Sequence, residues 1–413
     1  MLPTSRPTFE SSDSTPDRTG RPGRAGALPP AVVLTELYPP AVGGSAVLFQ
    51  GVYSRWSDVD VSVITDRVPG TAPTKAAEGP QIVWKKVGTP YCGVLHPKGL
   101  LHYLRLAAAL RAIASPRRAL VHCGRALPEG CAARLASLAG GPSYVCWVHG
   151  EELGYFSTSR EFTALMRWVF QSARAVIANS HHTAALLGEI GVPDAKVRVV
   201  HPGVDATRFR PDLPAALLRR RFAADQELLL LSVGRLQRRK GHDLCIQALA
   251  LLSRELPHLR YLIVGDGQER VALQNLAVEC GVSDRVSFAG EVSADMLATC
   301  YAAADIFLLP NRLDGVDFEG FGIVFLEAAA CGLPVIGGAS GGVGEAVEHG
   351  RTGFLVSGCD AEELAAAIRR LAAAPGLRRE MGRAGRQRVV EQFTWEAASN
   401  AVKRIHTELG RPR

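Results

Sequence analysis

The stretch Glu319-Gly-Phe-Gly-Ile-Val-Phe-Leu-Glu327, continued by Ala-Ala-Ala-Cys-Gly-Leu-Pro-Val-Ile336, is where this chain of 413 residues says most about itself. Apolar residues fall on nearly every face of a helix drawn over 321–330, which predicts burial inside a domain. One acid, Glu327, stands inside that helix, and a bare carboxylate is costly to bury without a partner. A second acid, Glu319, stands eight residues earlier. Eight helical residues span about 12 Å, too far for the two acids to grip one small group. Between them Gly320 and Gly322 leave the first-turn N–H groups uncovered, and a helix start attracts phosphate. The order suits a nucleotide diphosphate sugar. Glu319 would meet the hexose, Gly320, Phe321, Gly322 and Ile323 the diphosphate, and Glu327 the ribose hydroxyls. The spacing equally allows a plainer reading, in which Glu327 pairs with a core arginine and Glu319 caps the helix.

Length predicts two domains, and 47% hydrophobic with 21% charged residues permits two ordinary cores. A net charge of +7 leaves nucleic acid, anionic lipid or anionic small ligands as partners. Aromatic residues are 7% and no known module is evident, so nucleic acid is not expected. The nine cysteines show no Cys-x-x-Cys spacing. Several, such as Cys146, Cys245, Cys300 and Cys331, sit in apolar runs, which predicts reduced core thiols and a cytoplasmic protein. No apolar run reaches membrane-spanning length, and the N-terminus has no apolar signal core. Residues 1–28 hold little to bury and predict a disordered tail.

From residue 31 onward, short apolar runs alternate with helical patterns. Strands are expected at 31–34, 61–65, 82–84, 120–123, 144–148, 175–178 and 197–200, then at 228–233, 261–264, 286–289, 306–309 and 353–356. Such alternation predicts α/β domains with parallel, doubly wound sheets, whose ligands sit outside the carboxyl ends of the strands. Four features fall at those ends. Gly43-Gly44 precedes a helix expected to run to about Trp56. His149 follows the 144–148 run in Val-His-Gly-Glu-Glu. Gly234-Arg235-Leu-Gln-Arg238-Arg239-Lys240-Gly241 follows the 228–233 run, and four cations in six residues repel one another unless an anion offsets them. Gly265-Asp-Gly267 lacks the third glycine of a dinucleotide fingerprint.

These residues resemble the retaining family 4 glycosyltransferases, whose GT-B fold sets two Rossmann-like domains across a cleft. The matching pieces are the Glu-x7-Glu segment, Gly-Arg-x4-Lys-Gly, the Gly-Gly loop, His149-Gly150-x-Glu152 and the linker His201-Pro-Gly-Val-Asp205. The resemblance covers about residues 31–405 and is densest in the second half. It implies a disordered tail at 1–28, an acceptor-side domain at 29–204, a nucleotide-sugar domain at 205–390 and a closing helix over 391–413 that crosses back. It implies catalytic roles for His149, Arg235, Lys240 and Glu319, and donor binding by Gly43, Gly44 and Glu327 as well. Arg238 and Arg239 do not carry over. No metal or other cofactor is implied.

The approach to Glu319 departs from the common Pro-Ser-x-x-Glu form. Here Pro310-Asn-Arg-Leu-Asp-Gly-Val-Asp-Phe-Glu319 is longer, with Asn311 in place of Ser, and resembles the mannosyltransferases that build phosphatidylinositol mannosides. GDP-mannose as donor and a glycolipid or other glycan as acceptor follow as expectations, with Asp314 as one candidate for the base's amino group. A UDP-sugar-dependent family member of cell-envelope or polysaccharide synthesis and a non-catalytic nucleotide-sugar binder remain open. Asp58-Val-Asp60 and Asp314-Gly-Val-Asp317 raise a divalent ion as the minority reading. Lys98, His102 and Arg105 on one side of a helix that carries Leu100, Leu104 and Leu110 on the other, with Arg117 and Arg118 beyond, raise a peripheral contact with the inner face of the cell membrane.

Overall fold

The computed structural model describes residues 28–41, 43–67, 79–90, 93–116 and 118–410. The tail reading, Cys92 and Arg117 therefore lie outside the described residues. Two all-parallel sheets organise the chain. The first is ordered β3-β2-β1-β4-β5-β6-β7, from β1 (Ala31–Leu34), β2 (Val61–Thr65), β3 (Gln81–Trp84), β4 (Leu120–Cys123), β5 (Tyr144–Val148), β6 (Val176–Ala178) and β7 (Val197–Val199). The second is ordered β10-β9-β8-β11-β12-β13, from β8 (Leu228–Val233), β9 (Leu259–Val264), β10 (Val286–Gly290), β11 (Ile306–Leu309), β12 (Val335–Gly338) and β13 (Gly353–Val356).

The central strands β1, β8 and β11 are almost wholly apolar and buried because helices cover both faces. In β1, Val32 and Leu34 enter one core while Ala31 and Val33 enter the other. In β8, Leu229 and Leu231 face one side and Leu230 the opposite one. Strand order reverses between β1 and β4 and again between β8 and β11, and those reversals open the crevices at which such sheets bind ligands.

The helix Trp395–Gly410 lies against the first sheet's layer, not the second's. Its Trp395, Ala398, Val402 and Ile405 share a core with Phe49, Val52 and Tyr53. Trp56 Nε1 donates to Ser399 Oγ at 3.1 Å, and Arg55 pairs with Glu396 at 2.7 Å. A buried chain of polar contacts joins the same surfaces. Trp147 Nε1 donates to the Tyr53 hydroxyl (3.0 Å), Tyr53 meets His122 Nδ1 (2.8 Å), His122 Nε2 meets His406 Nδ1 (2.9 Å), and His406 Nε2 meets the Pro29 carbonyl (2.8 Å). A carbonyl only accepts, so His406 Nε2 carries a proton and, with both rings neutral, every donor in the chain points toward Pro29. The two passages between the sheets run side by side, with the Val204 N–H on the Phe393 carbonyl at 2.9 Å.

Several boundaries differ from expectation. The buried helix starts at Ile323, not 321, because Gly322 adopts φ +88° and breaks the approach. The Gly44–Tyr53 helix stops short of Trp56. The long helix Pro375–Gln392 was not foreseen. In helix Pro97–Ala114 the packed face is Tyr103, Leu106 and Leu110. Leu100 and Leu104 were expected on Leu110's side, yet they are exposed together with Leu101, Lys98 and Arg105. His102 is tied to the Val87 carbonyl at 2.8 Å. The described cysteines are free thiols, and all but Cys280 and Cys359 are buried.

Candidate active site

The carboxyl ends of the two sheets meet. Gly320 lies directly against the backbone of His149, where a Cβ would overlap the His149 carbonyl oxygen. The Asn179 side chain, which donates to that same carbonyl at 2.8 Å, packs on Gly320 too. Glycine is required there because the two halves approach backbone to backbone. Across the same junction a Cβ on Gly44 would lie 4.0 Å from the Ile323 side chain, so the Gly43-Gly44 loop faces the start of the buried helix.

Glu319 is the centre of the charged cluster. Its Oε2 accepts from Lys240 Nζ, from Arg239 Nη1 at 3.1 Å and from Asn311 Nδ2 at 2.9 Å. Burial pushes the Glu319 carboxyl upward, but Lys240 and Arg239 outweigh it and leave it below the usual carboxylate range. Burial lowers the Lys240 ammonium, aided by the like charges of Arg239 and Arg235 and opposed by Glu319. Arg235 itself is exposed at the end of β8.

Arg239 is the residue sequence reasoning missed. It is buried, and besides Glu319 it pairs through Nε with Asp317 at 2.9 Å and through Nη2 with Glu151 at 3.5 Å. Glu151 belongs to the first half, so Arg239 is a charge link across the cleft. The signal was present, since a crowded basic loop demands anions, and Glu319, Asp317 and Glu151 are those anions. Asn311 stands where the common form has Ser, and its longer amide arm reaches Glu319 from the lengthened loop. That loop turns on mutual backbone bonds between Asp314 and Asp317 (2.9 and 3.0 Å) and is pinned by Arg312, whose guanidinium pairs with Asp243 at 2.7 Å. Asp314 lies 3.9 Å from Arg238, so this acidic pair faces cations of the chain itself. Asp60 sits just before β2, at its amino end, and Asp58 is paired with Lys403.

Glu327 occupies a different environment. It is buried and accepts from the Tyr301 hydroxyl at 2.8 Å, and burial pushes its carboxyl up to about 7. The plain alternatives are met only in part. Glu327 is hydrogen-bonded to Tyr301, while the charge of Arg208 draws its carboxyl down against burial, and Gly322, which carries no capping side chain, is the helix N-cap. The Phe321 ring is core, at 5.9 Å from Phe393, so only its backbone faces any ligand.

His149 stands at the end of β5, its ring held edge-on by Phe49 (5.6 Å) and stacked on Trp147 (6.4 Å). Its Nε2 lies 2.9 Å from the Gly124 carbonyl. Nε2 therefore carries a proton, and Nδ1 is the ring nitrogen left to face a ligand. Nearby, at the β1–β4 reversal, Glu129 is fully buried, takes the Glu36 N–H at 3.1 Å and lies 3.7 Å from Arg125. Burial pushes Glu129 up to about 7. No sequence motif pointed to this acid.

Residues 51–208 match the family described as Glycosyltransferase Family 4, and residues 217–388 match Glycosyl transferases group 1. A Mycobacterium tuberculosis (strain ATCC 25618 / H37Rv) protein named GDP-mannose-dependent alpha-(1-6)-phosphatidylinositol monomannoside mannosyltransferase is 37% identical over 276 residues, 66% of this chain and 71% of its own. A D-inositol 3-phosphate glycosyltransferase of Streptomyces avermitilis is 37% identical over 250 residues, 58% of this chain and 53% of its own. The solved sucrose-phosphate synthase of Thermosynechococcus elongatus superposes with a TM-score of 0.79 at 25% identity, covering 92% of this chain and 99% of that one. With its paired parallel sheets, the charged junction between them and these relatives, the chain belongs to the family 4 glycosyltransferases of GT-B architecture.

Proposed function

We propose that this glycosyltransferase moves mannose from GDP-mannose to an inositol-bearing glycolipid, with retention of configuration and no catalytic metal. The observation that carries the reading is the cluster of Lys240, Arg239 and Glu319 beneath the start of helix Ile323–Ala330. In this reading Arg235, Lys240 and the helix start hold the diphosphate, with Gly43 and Gly44 closing over it. All three side-chain donors to Glu319 converge on Oε2, so Oε1 is the oxygen a hexose hydroxyl would meet. His149 Nδ1 accepts from another hexose hydroxyl, and Glu327 receives the ribose. The bond from the anomeric carbon to the phosphate oxygen breaks, and its electron pair leaves with the diphosphate. The acceptor hydroxyl bonds to the same face and its proton passes to the departing phosphate. Stabilising that departing charge is usually the largest catalytic contribution. Lys and Arg do it without a divalent ion, and Asp314 and Asp317 are already matched by Arg238 and Arg239.

Mannose and GDP rest on the Mycobacterium relative and on the lengthened approach loop. An inositol acceptor rests on a chemistry the names of both curated relatives share. Among the described residues no helix is long and apolar enough to cross a membrane. A visit to the membrane surface from the cytoplasm is supported by Leu100, Leu101 and Leu104, exposed beside Lys98 and Arg105.

A thermal-shift panel of nucleotide sugars tests the donor. At one hundred times its dissociation constant a ligand adds about 2.7 kcal/mol, so GDP-mannose is expected to stand out and an unmoved midpoint counts against it. Co-sedimentation with vesicles tests the membrane contact. Anionic vesicles should carry more protein down than neutral ones at low salt, and equal recovery removes the lipid reading.

A further inference from the structure

Three metal-ligating side chains meet where the two halves of the molecule and their linker come together. His181 opens the helix His181–Glu189 of the first half, His201 stands in the linker, and Glu345 belongs to the short helix Val343–Ala346 of the second half. One ligand atom from each lies within 4.8 Å of the others. We propose that these residues form a zinc site that clasps the hinge, separate from the transfer site.

Two imidazoles and one carboxylate are a donor set that zinc accepts, with water in the fourth tetrahedral position. Glu345 is already anchored, and small side-chain shifts would bring the three ligand atoms to one ion. Glu345 Oε2 accepts from the His181 backbone N–H at 2.8 Å, and Oε1 from that of His182 at 3.0 Å. Such outer contacts aim a carboxylate at a metal. His201 Nε2 lies 2.8 Å from Glu345 Oε2, and its ring is fixed between Phe321 at 5.4 Å and Phe393 at 5.7 Å. The His181 and His201 rings are 5.6 Å apart. His181 is exposed and Glu345 half-buried, so an ion can enter from solvent. Each ligand comes from a different moving part, so a bound ion restrains the opening that must let nucleotide out.

The test uses the full chain, stripped with chelator, dialysed and titrated with Zn2+ against a competing dye. The expected result is one zinc per chain, with affinity weakened at least about tenfold in both His181→Ala and Glu345→Gln. His181 is exposed, so its replacement leaves the fold intact and keeps the test valid if Glu345→Gln proves unstable. The thermal midpoint of the wild type, and not of His181→Ala, should rise with zinc. Failure of the wild type to take up zinc, or equal uptake by wild type and His181→Ala, overturns the proposal.

Discussion

The loop after β8 and the loops after β1, β4 and β5 face each other and carry opposite charge, although Glu319 and Asp317 of the second half already pair with Arg239 and Lys240 of the loop after β8. On the second half Arg235, Arg239 and Lys240 gather at the end of β8. On the first half the corresponding ends hold Glu36, Glu129, Glu151 and Glu152, with Arg125 as counterweight. A cationic wall suits an anionic diphosphate. An acidic wall suits a polyol, whose hydroxyls donate. The Arg239–Glu151 pair, at 3.5 Å, is one place where the two walls touch. The same division runs through the Glu-x7-Glu pair. Glu319 is held ionised by cations, whereas Glu327 is pushed up to about 7 by burial beside Tyr301.

That contrast breaks most sharply at Lys240. Lys240→Ala should fold and lose at least about a hundredfold in turnover, the usual cost of one charge-stabilising donor. Near wild-type turnover would show that the cationic wall does not serve the leaving group. Arg239→Ala should lose about tenfold to a hundredfold, the worth of a charge-assisted hydrogen bond, and should open the cleft by freeing Glu151. Steady-state kinetics with small-angle scattering checks both effects.

Glu327 sharpens the comparison through pH. Its carboxyl is raised to about 7, so in the proposed donor site the ionised form able to accept ribose hydroxyls grows as pH rises through 7. Donor KM should fall across pH 6–8 by up to about tenfold. Glu327→Gln should flatten that dependence and leave a raised KM. An unchanged profile in the variant would remove Glu327 from the donor site.

The smallest expected effect concerns the crossing helix. Burial lowers both His122 and His406, so the folded state binds fewer protons than the unfolded chain below about pH 6.5. Stability from this contact is complete above that pH and falls as pH drops toward the folded-state values. Each kcal/mol lost should move the melting midpoint by about 2–4 °C. His406→Gln should show a shallower decline between pH 6.5 and 5 in thermal melts.

The second half was the more legible in the sequence. Its strand β8 is an unbroken apolar run, and its loop, helix start and acids are contiguous segments whose spacing carries the chemistry. Arg239 escaped because its role depends on Asp317 and Glu151, which only folding brings near it. The first half offered His149 by position at a strand end. Glu129 could not be read, because nothing local distinguishes a surface glutamate from one folded under a strand reversal. Leu100 and Leu104 were placed with Leu110 on one face. Tertiary packing chose the Tyr103–Leu106 face instead, and a helical wheel does not record which stripe finds a partner. The hinge cluster of His181, His201 and Glu345 spans a separation that no motif bridges.

The most direct test of the account is transfer and donor hydrolysis measured side by side for GDP-mannose, UDP-glucose and UDP-N-acetylglucosamine, in excess chelator, with a phosphatidylinositol mannoside acceptor in vesicles. Mannosyl transfer from GDP-mannose, undiminished by chelator, and negligible transfer from the UDP sugars are expected. A clear preference for either UDP sugar with GDP-mannose inert, or loss of all transfer with chelator and its return with magnesium, would contradict that expectation.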